Sequence, residues 1–545
     1  MSIRNSFSWL KKCAATAALM LLSATLAPAA PIPELPTGQL QVMDVQNIIA
    51  NAVTQAVHDK VNVVVAVVDR EGNVLGVFDM NGAPTASVDD VLGLFTPPTT
   101  QAVAIQKART AAYLSSDQNG FSTRTALQIT AKHFPPNVNN TGPGPLFGLP
   151  MSSLPCGDVQ KNGSGLTGAL GGIPLYINHA IAGGIGIDGA RARRNPNLEN
   201  QSDDEVIALA GARRGYGTPA SIVASNLLVN GIRFEWVGSR KPNNLTVMPF
   251  ASLPGALDAG FPTINAGSPP PVEVMEAGVP GEWRVPPTDS AVSNLTAADV
   301  TKLVDQSLES EKLVRAAIRL PVGIPSRMQV GVTDIAGNVI GLFRTNDATM
   351  FSLDIVIQKG RTVTAFSNPN DPNGYGKRLR DYLNISEAAP LAVTSRTIEF
   401  LGQPFYPPGI NGRSAGPLFC DNFALTAPSP PAKKPGLKAS TVLPYCLQQQ
   451  LYFMTGATPP CGVAPPNGIT LADGFTLFPG STPLYKSGVL VGGLGISGDG
   501  VDQDDFVTNA GGAGFLPPNN IRATNIKFRG AFLPFFKFPR HPLLD

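Results

Sequence analysis

The sequence predicts an α+β fold made twice, each unit an antiparallel sheet packed with helices. Three observations predict it. Blocks of the first half recur in the same order in the second half. Each half carries two strand–turn–strand patterns, and segments of helical period flank them. The clearest block, Asp69-Arg70-Glu71-Gly72-Asn73 through Phe78, recurs as Asp334-Ile335-Ala336-Gly337-Asn338 through Phe343. Ile105 to Thr110 recurs as Ile357 to Thr362, and Arg124 to Phe147 runs without a gap against Arg396 to Phe419. Pro174-Leu175-Tyr176 recurs as Pro483-Leu484-Tyr485, and Gly183 to Ile187 as Gly492 to Ile496.

In chain order, Val42, Val45, Ile48, Ile49, Ala52 and Val53 fall at helical spacing. At the matching start in the second half, Thr296 with Asp299 resembles a capping box. Val61 to Val68 is a β-branched run, Gly72-Asn73 a turn, and Val74 to Phe78 the returning strand of a hairpin. Ala102 to Leu114 reads as a helix carrying Lys107, Arg109 and Thr110. Pro174 to Tyr176, a turn at Asn178-His179, and Ala180 to Ile187 form a second hairpin. Glu205 to Ala212 closes the unit as a helix, with Asp203 or Asp204 near its start. The first unit spans 40–238 and the second 295–535; residues 239–294, rich in proline and glycine, read as a linker. Insertions separate the units: a basic loop at Arg191 to Asn200 in the first, and a proline-rich loop after Phe419 in the second.

The N-terminus reads as a secretory signal, residues 1–29. Arg4, Lys11 and Lys12 precede an apolar run from Ala14 to Ala27, and Ala27-Pro28-Ala29 supplies the small-residue cleavage site. The mature chain is then expected in the periplasm or outside the cell, with no stable membrane insertion. Cys156, Cys420, Cys446 and Cys461 remain, and an even number in an exported chain predicts at least one disulfide. Three connectivities are open; in one, Cys446 and Cys461 close a small loop and the other two bridge the units. The formal charge of the whole chain is +2, which gives no electrostatic footprint for nucleic acid.

Several patterns carry chemistry on paper only. Gly184-x-Gly186-x-x-Gly189 and Gly493-x-Gly495-x-x-Gly498 match a dinucleotide fingerprint, which needs a parallel βαβ unit. Here they end a hairpin, so they predict a strand packed close to a helix. Gly412-x-Ser414-x-Gly416 matches a nucleophile elbow but sits in a proline-bound loop. His58, His133, His179 and His541 have no zinc-ligand spacing. Asp204-Glu205 and Asp504-Asp505 read as carboxylates favoured at helix starts. Lys107, Arg109 and Thr110 recur as Lys359, Arg361 and Thr362, and a lysine and an arginine close together on a helix can hold carboxylates or phosphates.

Together these marks resemble the GlcG/HbpS-like haem-binding family, DUF336. The resemblance rests on Asp69-x-x-Gly72, Lys107-Ala108-x-Thr110-Ala111, Gly172-x-Pro174, Ile181-x-Gly183-x-Ile185-Gly186-Ile187-x-Gly189 and Ala210-Gly211, most of them repeated in the second half. It implies a profilin-like three-layer domain with a five-stranded antiparallel sheet, here in two copies as a pseudo-dimer, and a homo-oligomer. It also implies a small-molecule ligand, haem or a related tetrapyrrole. No Cys-x-x-Cys-His exists, so binding would be non-covalent. A ligand residue shared by both copies cannot be histidine; the aligned Tyr176 and Tyr485 are candidates. His133 or His179 would serve a site in the first copy alone. The family's arginine after the second strand is absent from Asp79-Met80-Asn81-Gly82-Ala83 but kept as Arg344. An enzyme acting on haem or a small organic substrate, or an assembly module without ligand, are the alternative functions; no nucleophile, metal set or acid–base pair supports catalysis.

Overall fold

The computed structural model describes residues 38–87, 99–131, 133–149, 159–160, 165–190, 202–371, 374–418 and 475–544. The expected signal, the Arg191–Asn200 loop, the loop after Phe419 and all four mature-chain cysteines lie outside the described residues.

The first unit opens with α1 (Val42–Asp59), whose start is closed by a capping box between Gln41 and Asp44. The hairpin β1 (Val64–Asp69) and β2 (Val74–Met80) follows. Its turn is fixed by Asp69, whose Oδ1 accepts the Asn73 N–H at 2.9 Å. Gly72 sits there at φ +80°, and a Cβ on it would stand 2.0 Å from the Tyr113 hydroxyl, so only glycine fits. Then come α2 (Thr100–Leu114), α3 (Thr123–Ile129), the hairpin β3 (Gly172–Ile177) and β4 (Ala180–Asp188), and α4 (Asp203–Gly211). The tail adds a small hairpin, β5 (Leu228–Val229) and β6 (Ile232–Arg233).

The strands form an antiparallel sheet in the order β3-β4-β1-β2-β7, with β7 at Gly255–Leu257. Alternation along β1 builds three layers. Val63, Val65 and Val67 enter the core with α1 and α4, whereas Val64, Ala66 and Val68 meet α2 on the other face.

The second unit contains α5 (Ala297–Glu311), β10 (Met328–Asp334), β11 (Val339–Thr345), α6 (Ser352–Ser367), α7 (Tyr375–Leu383) and α8 (Ser395–Leu401). It continues with β12 (Ser481–Lys486), β13 (Val489–Gly498), α9 (Val501–Gly511) and a short hairpin, β14 (Lys527–Phe528) and β15 (Ala531–Phe532). Its sheet runs β12-β13-β10-β11-β9-β8, with β8 at Val274–Glu276 and β9 at Val279–Val285. Register is shared at aligned positions: Val65 faces Ile187 and Phe78, and Val330 faces Ile496 and Phe343. Irregularities also coincide, at Val67/Val68 and Val332/Thr333, and at Leu175/Tyr176 and Leu484/Tyr485.

The segment expected to be a linker differs from that expectation. Within 239–294, β7 pairs with β2 and edges the first sheet, while β9 and β8 edge the second. Ser268 donates from both N and Oγ to Asp69, and Asn243 N donates to Gln55 of α1. The two units share a core in which Tyr113, Leu114 and Phe121 meet Phe351, Leu353 and Phe478. Asp347 of the second unit ties this contact electrostatically, accepting from Arg70 and Arg319 at 2.6 Å each.

Candidate functional site

The helix cations lie inside the protein. Lys107 is 0% exposed, and its Nζ donates to Ile187 O at 2.9 Å, Asp188 Oδ1 at 2.7 Å and Asp204 Oδ2 at 3.2 Å. It clamps α2 to the end of β4 and the start of α4. Reading Lys107 as a ligand's partner therefore gives way to a structural role. Lys359, 1% exposed, makes the matching clamp with Ile496 O at 2.6 Å and Asp504 Oδ2 at 2.8 Å. Burial pushes the Asp504 carboxyl up to about 7 against the pull of Lys359, and burial lowers the Lys359 ammonium against the pull of Asp504.

Arg109 and Arg361 close the hairpin turns, their Nε donating to Gly72 O at 2.9 Å and Gly337 O at 2.8 Å. Thr110 and Thr362 accept the backbone N–H of Thr167 and Thr476 at 2.9 and 3.1 Å. The glycine strands pack as predicted: a Cβ on Gly184 or Gly186 would meet Ala108 O or Ala104 O of α2 at 2.2 and 1.9 Å.

Tyr176 is 1% exposed, and its hydroxyl lies 2.9 Å from the carbonyls of both Ser116 and Asn119. Burial raises its pKa well above the usual phenol range, with Asp117 adding to the effect. Its oxygen is committed to the backbone. Tyr176→Phe is expected to cost about 1–3 kcal/mol by stranding buried acceptors, with ligand binding unchanged. Urea unfolding beside a ligand titration checks this, and lost binding at unchanged stability would return the oxygen to the site. Tyr485 is half-buried among apolar residues, its hydroxyl pushed up to about 12 by burial against the opposing charge of Arg380.

The two histidines are not brought together. His133 stacks on Phe405 of the second unit, ring centroids 5.2 Å apart, with Nδ1 2.9 Å from the Thr141 carbonyl. His179 lies exposed in the β3–β4 turn at φ +70°.

A cavity of about 810 Å³ lies between the units. Leu114, Phe121 and Phe234 wall it from the first unit, and Ile318, Phe351 and Phe478 from the second. Lys359, Ser497 and Asp504, all nearly buried, also line it, as do Arg315, Lys537, Arg540 and His541. The C-terminal segment is pinned there by bonds from Arg315 N to Pro542 O at 2.8 Å and from Leu544 N to Leu313 O at 2.9 Å. Among the described residues, no group of three or more His, Cys, Asp or Glu could hold a metal ion, and no helix is long and apolar enough to cross a membrane.

A family model described as haem degrading protein HbpS-like matches residues 40–212. Among solved structures, the chain is similar to Klebsiella pneumoniae protein ORFY, of family-model DUF336, at 20% identity over 33% of this chain and 91% of that one, with a TM-score of 0.22. It is similar to PduOC in its complex with heme at 22% identity, 33% and 99% coverage and a TM-score of 0.22. For HbpS the values are 24%, 33%, 92% and 0.20. No curated protein sequence matches the chain.

The matched region supplies Leu114 and Phe121 to the wall of the cavity, residues that sequence reasoning did not single out. It also holds Arg124, which opens the longest repeated block and forks onto Glu205 with two contacts of 2.9 Å. Arg396 meets Asp505 at the aligned position at 2.7 Å. The recurrence of an arginine and a helix-start acid in both halves was the available signal for these pairs. Arg344 is consumed likewise, donating to Ala348 O and to Glu282 at 3.0 Å.

Proposed function

We propose that this is an exported binding protein for a small molecule, haem or a related tetrapyrrole, held non-covalently in the cavity between the HbpS-like domain and the second unit. The carrying observation is the cavity itself. Its volume falls within the range of about 300–1,000 Å³ usual for ligand sites, and apolar walls end in a few convergent polar groups, as such sites require. The family description of residues 40–212 supports a haem-class ligand. The donor set fits it. Phenylalanines offer flat apolar contact, His541 offers an imidazole, and Lys359 and Arg540 offer cations for carboxylates. The leader-like residues 1–29 support export.

In this reading the second unit is a diverged copy of the first, and the two pack as a pseudo-dimer. Aligned residues touch each other, as they do across a two-fold axis: His133 on Phe405, and Asn139 Oδ1 with Asn411 Nδ2 at 3.0 Å. The whole chain is then expected to form higher homo-oligomers.

Haemin titration followed by absorbance tests the reading. The wild type is expected to give a saturable spectral change. Leu228 lines the cavity yet is 57% exposed, so Leu228→Trp fills the space without disturbing the core and is expected to weaken binding about tenfold or more. No saturable change in the wild type would sink the proposal. A second reading, that bound haem is broken down, is favoured by the match of residues 40–212 to a model of haem degrading, HbpS-like proteins. A bound spectrum that decays with time under reductant or peroxide, faster than free haemin, would favour it.

A further inference from the structure

Two aligned lysines differ in one respect. Around its ammonium Lys107 has the Ile187 carbonyl and the carboxylates of Asp188 and Asp204. Among the described residues Lys359 has the Ile496 carbonyl and one carboxylate, that of Asp504. The position aligned with Asp188 holds Ser497, whose hydroxyl is directed to Ser352 Oγ at 3.1 Å. Among the described residues one N–H of a buried ammonium is thus left over, and Asp504 Oδ1, also buried, has no hydrogen-bond partner. Lys359, Ser497 and Asp504 all line the inter-unit cavity, whereas Lys107 does not.

We infer that Lys359 is the carboxylate anchor of this cavity, a carboxylate of the ligand taking on its ammonium the third place that Asp188 fills on Lys107. The inference rests on the proposal that the cavity binds a small molecule. The first unit shows that this helix–strand framework holds a second carboxylate on the lysine. Between apolar walls, a charge-assisted bond from a buried ammonium is stronger than the same bond at a surface. The Asp504 carboxyl, with its pKa near 7, can take up a proton, so the cluster accepts a further negative charge without two ionised acids on one cation. The outer cations Arg540 and Lys537 are exposed, and Lys537 already pairs with Asp502 at 2.9 Å.

The test compares haemin with its dimethyl ester, which keeps the ring and caps both carboxylates. The wild type and Ser497→Ala are expected to bind haemin about tenfold or more tighter than the ester. Ser497→Asp places in the second unit the carboxylate that Asp188 places in the first; it is expected to fold with an undiminished unfolding midpoint and to lose that preference. Lys359→Met, an independent variant, is expected to lose it too. If both variants keep the wild-type preference for haemin while Leu228→Trp still blocks binding, the anchor is overturned and the cavity proposal stands. If the wild type binds neither probe, both are overturned.

Discussion

Replacing Lys107 by methionine is expected to lower stability by about 3–5 kcal/mol, the usual cost of stripping one partner from a buried ion cluster. The variant leaves Asp188 and Asp204, each only 2% exposed in its side chain, without their shared cation. Asp188 Oδ2 has no hydrogen-bond partner among the described residues, so the loss falls on a group with little in reserve. Protonation of the stranded acids relieves the penalty, so the deficit should shrink as pH falls. Lys359→Met is expected to cost less, since it strands only Asp504, whose carboxyl already sits near 7 and takes a proton readily. Urea unfolding of both variants at two pH values checks the order. Equal losses, or a Lys107→Met loss below about 1 kcal/mol, would show that the clamp does not hold α2 to β4 and α4.

A comparable loss is expected from Gly186→Val. The strand approaches α2 so closely that a Cβ at this position would stand 1.9 Å from Ala104 O, which belongs to backbone and cannot swing away. Overpacking of this kind costs about 3 kcal/mol or more where the neighbour cannot yield. The same holds at Gly495, 2.0 Å from Val356 O. Thermal unfolding is the measurement, and a midpoint within a degree or two of wild type would mean that sheet and helix can separate at little cost.

These two sites show where sequence was legible. The Gly184–Gly186 and Gly493–Gly495 steps and the Asp69-x-x-Gly72-Asn73 turn write their structure locally, so the hairpins and the helix packed on each sheet could be read from short windows. The ion clusters could not. Lys107 was visible as a recurring cation, and Asp204 as a recurring acid at a helix start. Their contact spans 97 residues, and nothing in either window names the other. Burial of Tyr176 was hidden for the same reason, because its two carbonyl acceptors come from a turn about 60 residues earlier in the chain. The edge strands escaped because β7 has three residues and lies in a proline-rich stretch with no period to detect. The cavity escaped most completely. It exists only where two units meet, and His541, isolated in the sequence, reaches it because the chain end pairs with residues near Arg315.

The contact of His133 with Phe405 has a consequence for how such a protein can change. When identical subunits meet about an axis, one gene writes both sides, and each substitution is made twice and must tolerate its own copy. In the proposed pseudo-dimer one polypeptide carries two separately encoded faces. An imidazole can lie on a phenyl ring, and an aspartate can be kept at 188 while a serine stands at 497. If the cavity holds a ligand as proposed, stability can be kept on one side while ligand chemistry drifts on the other.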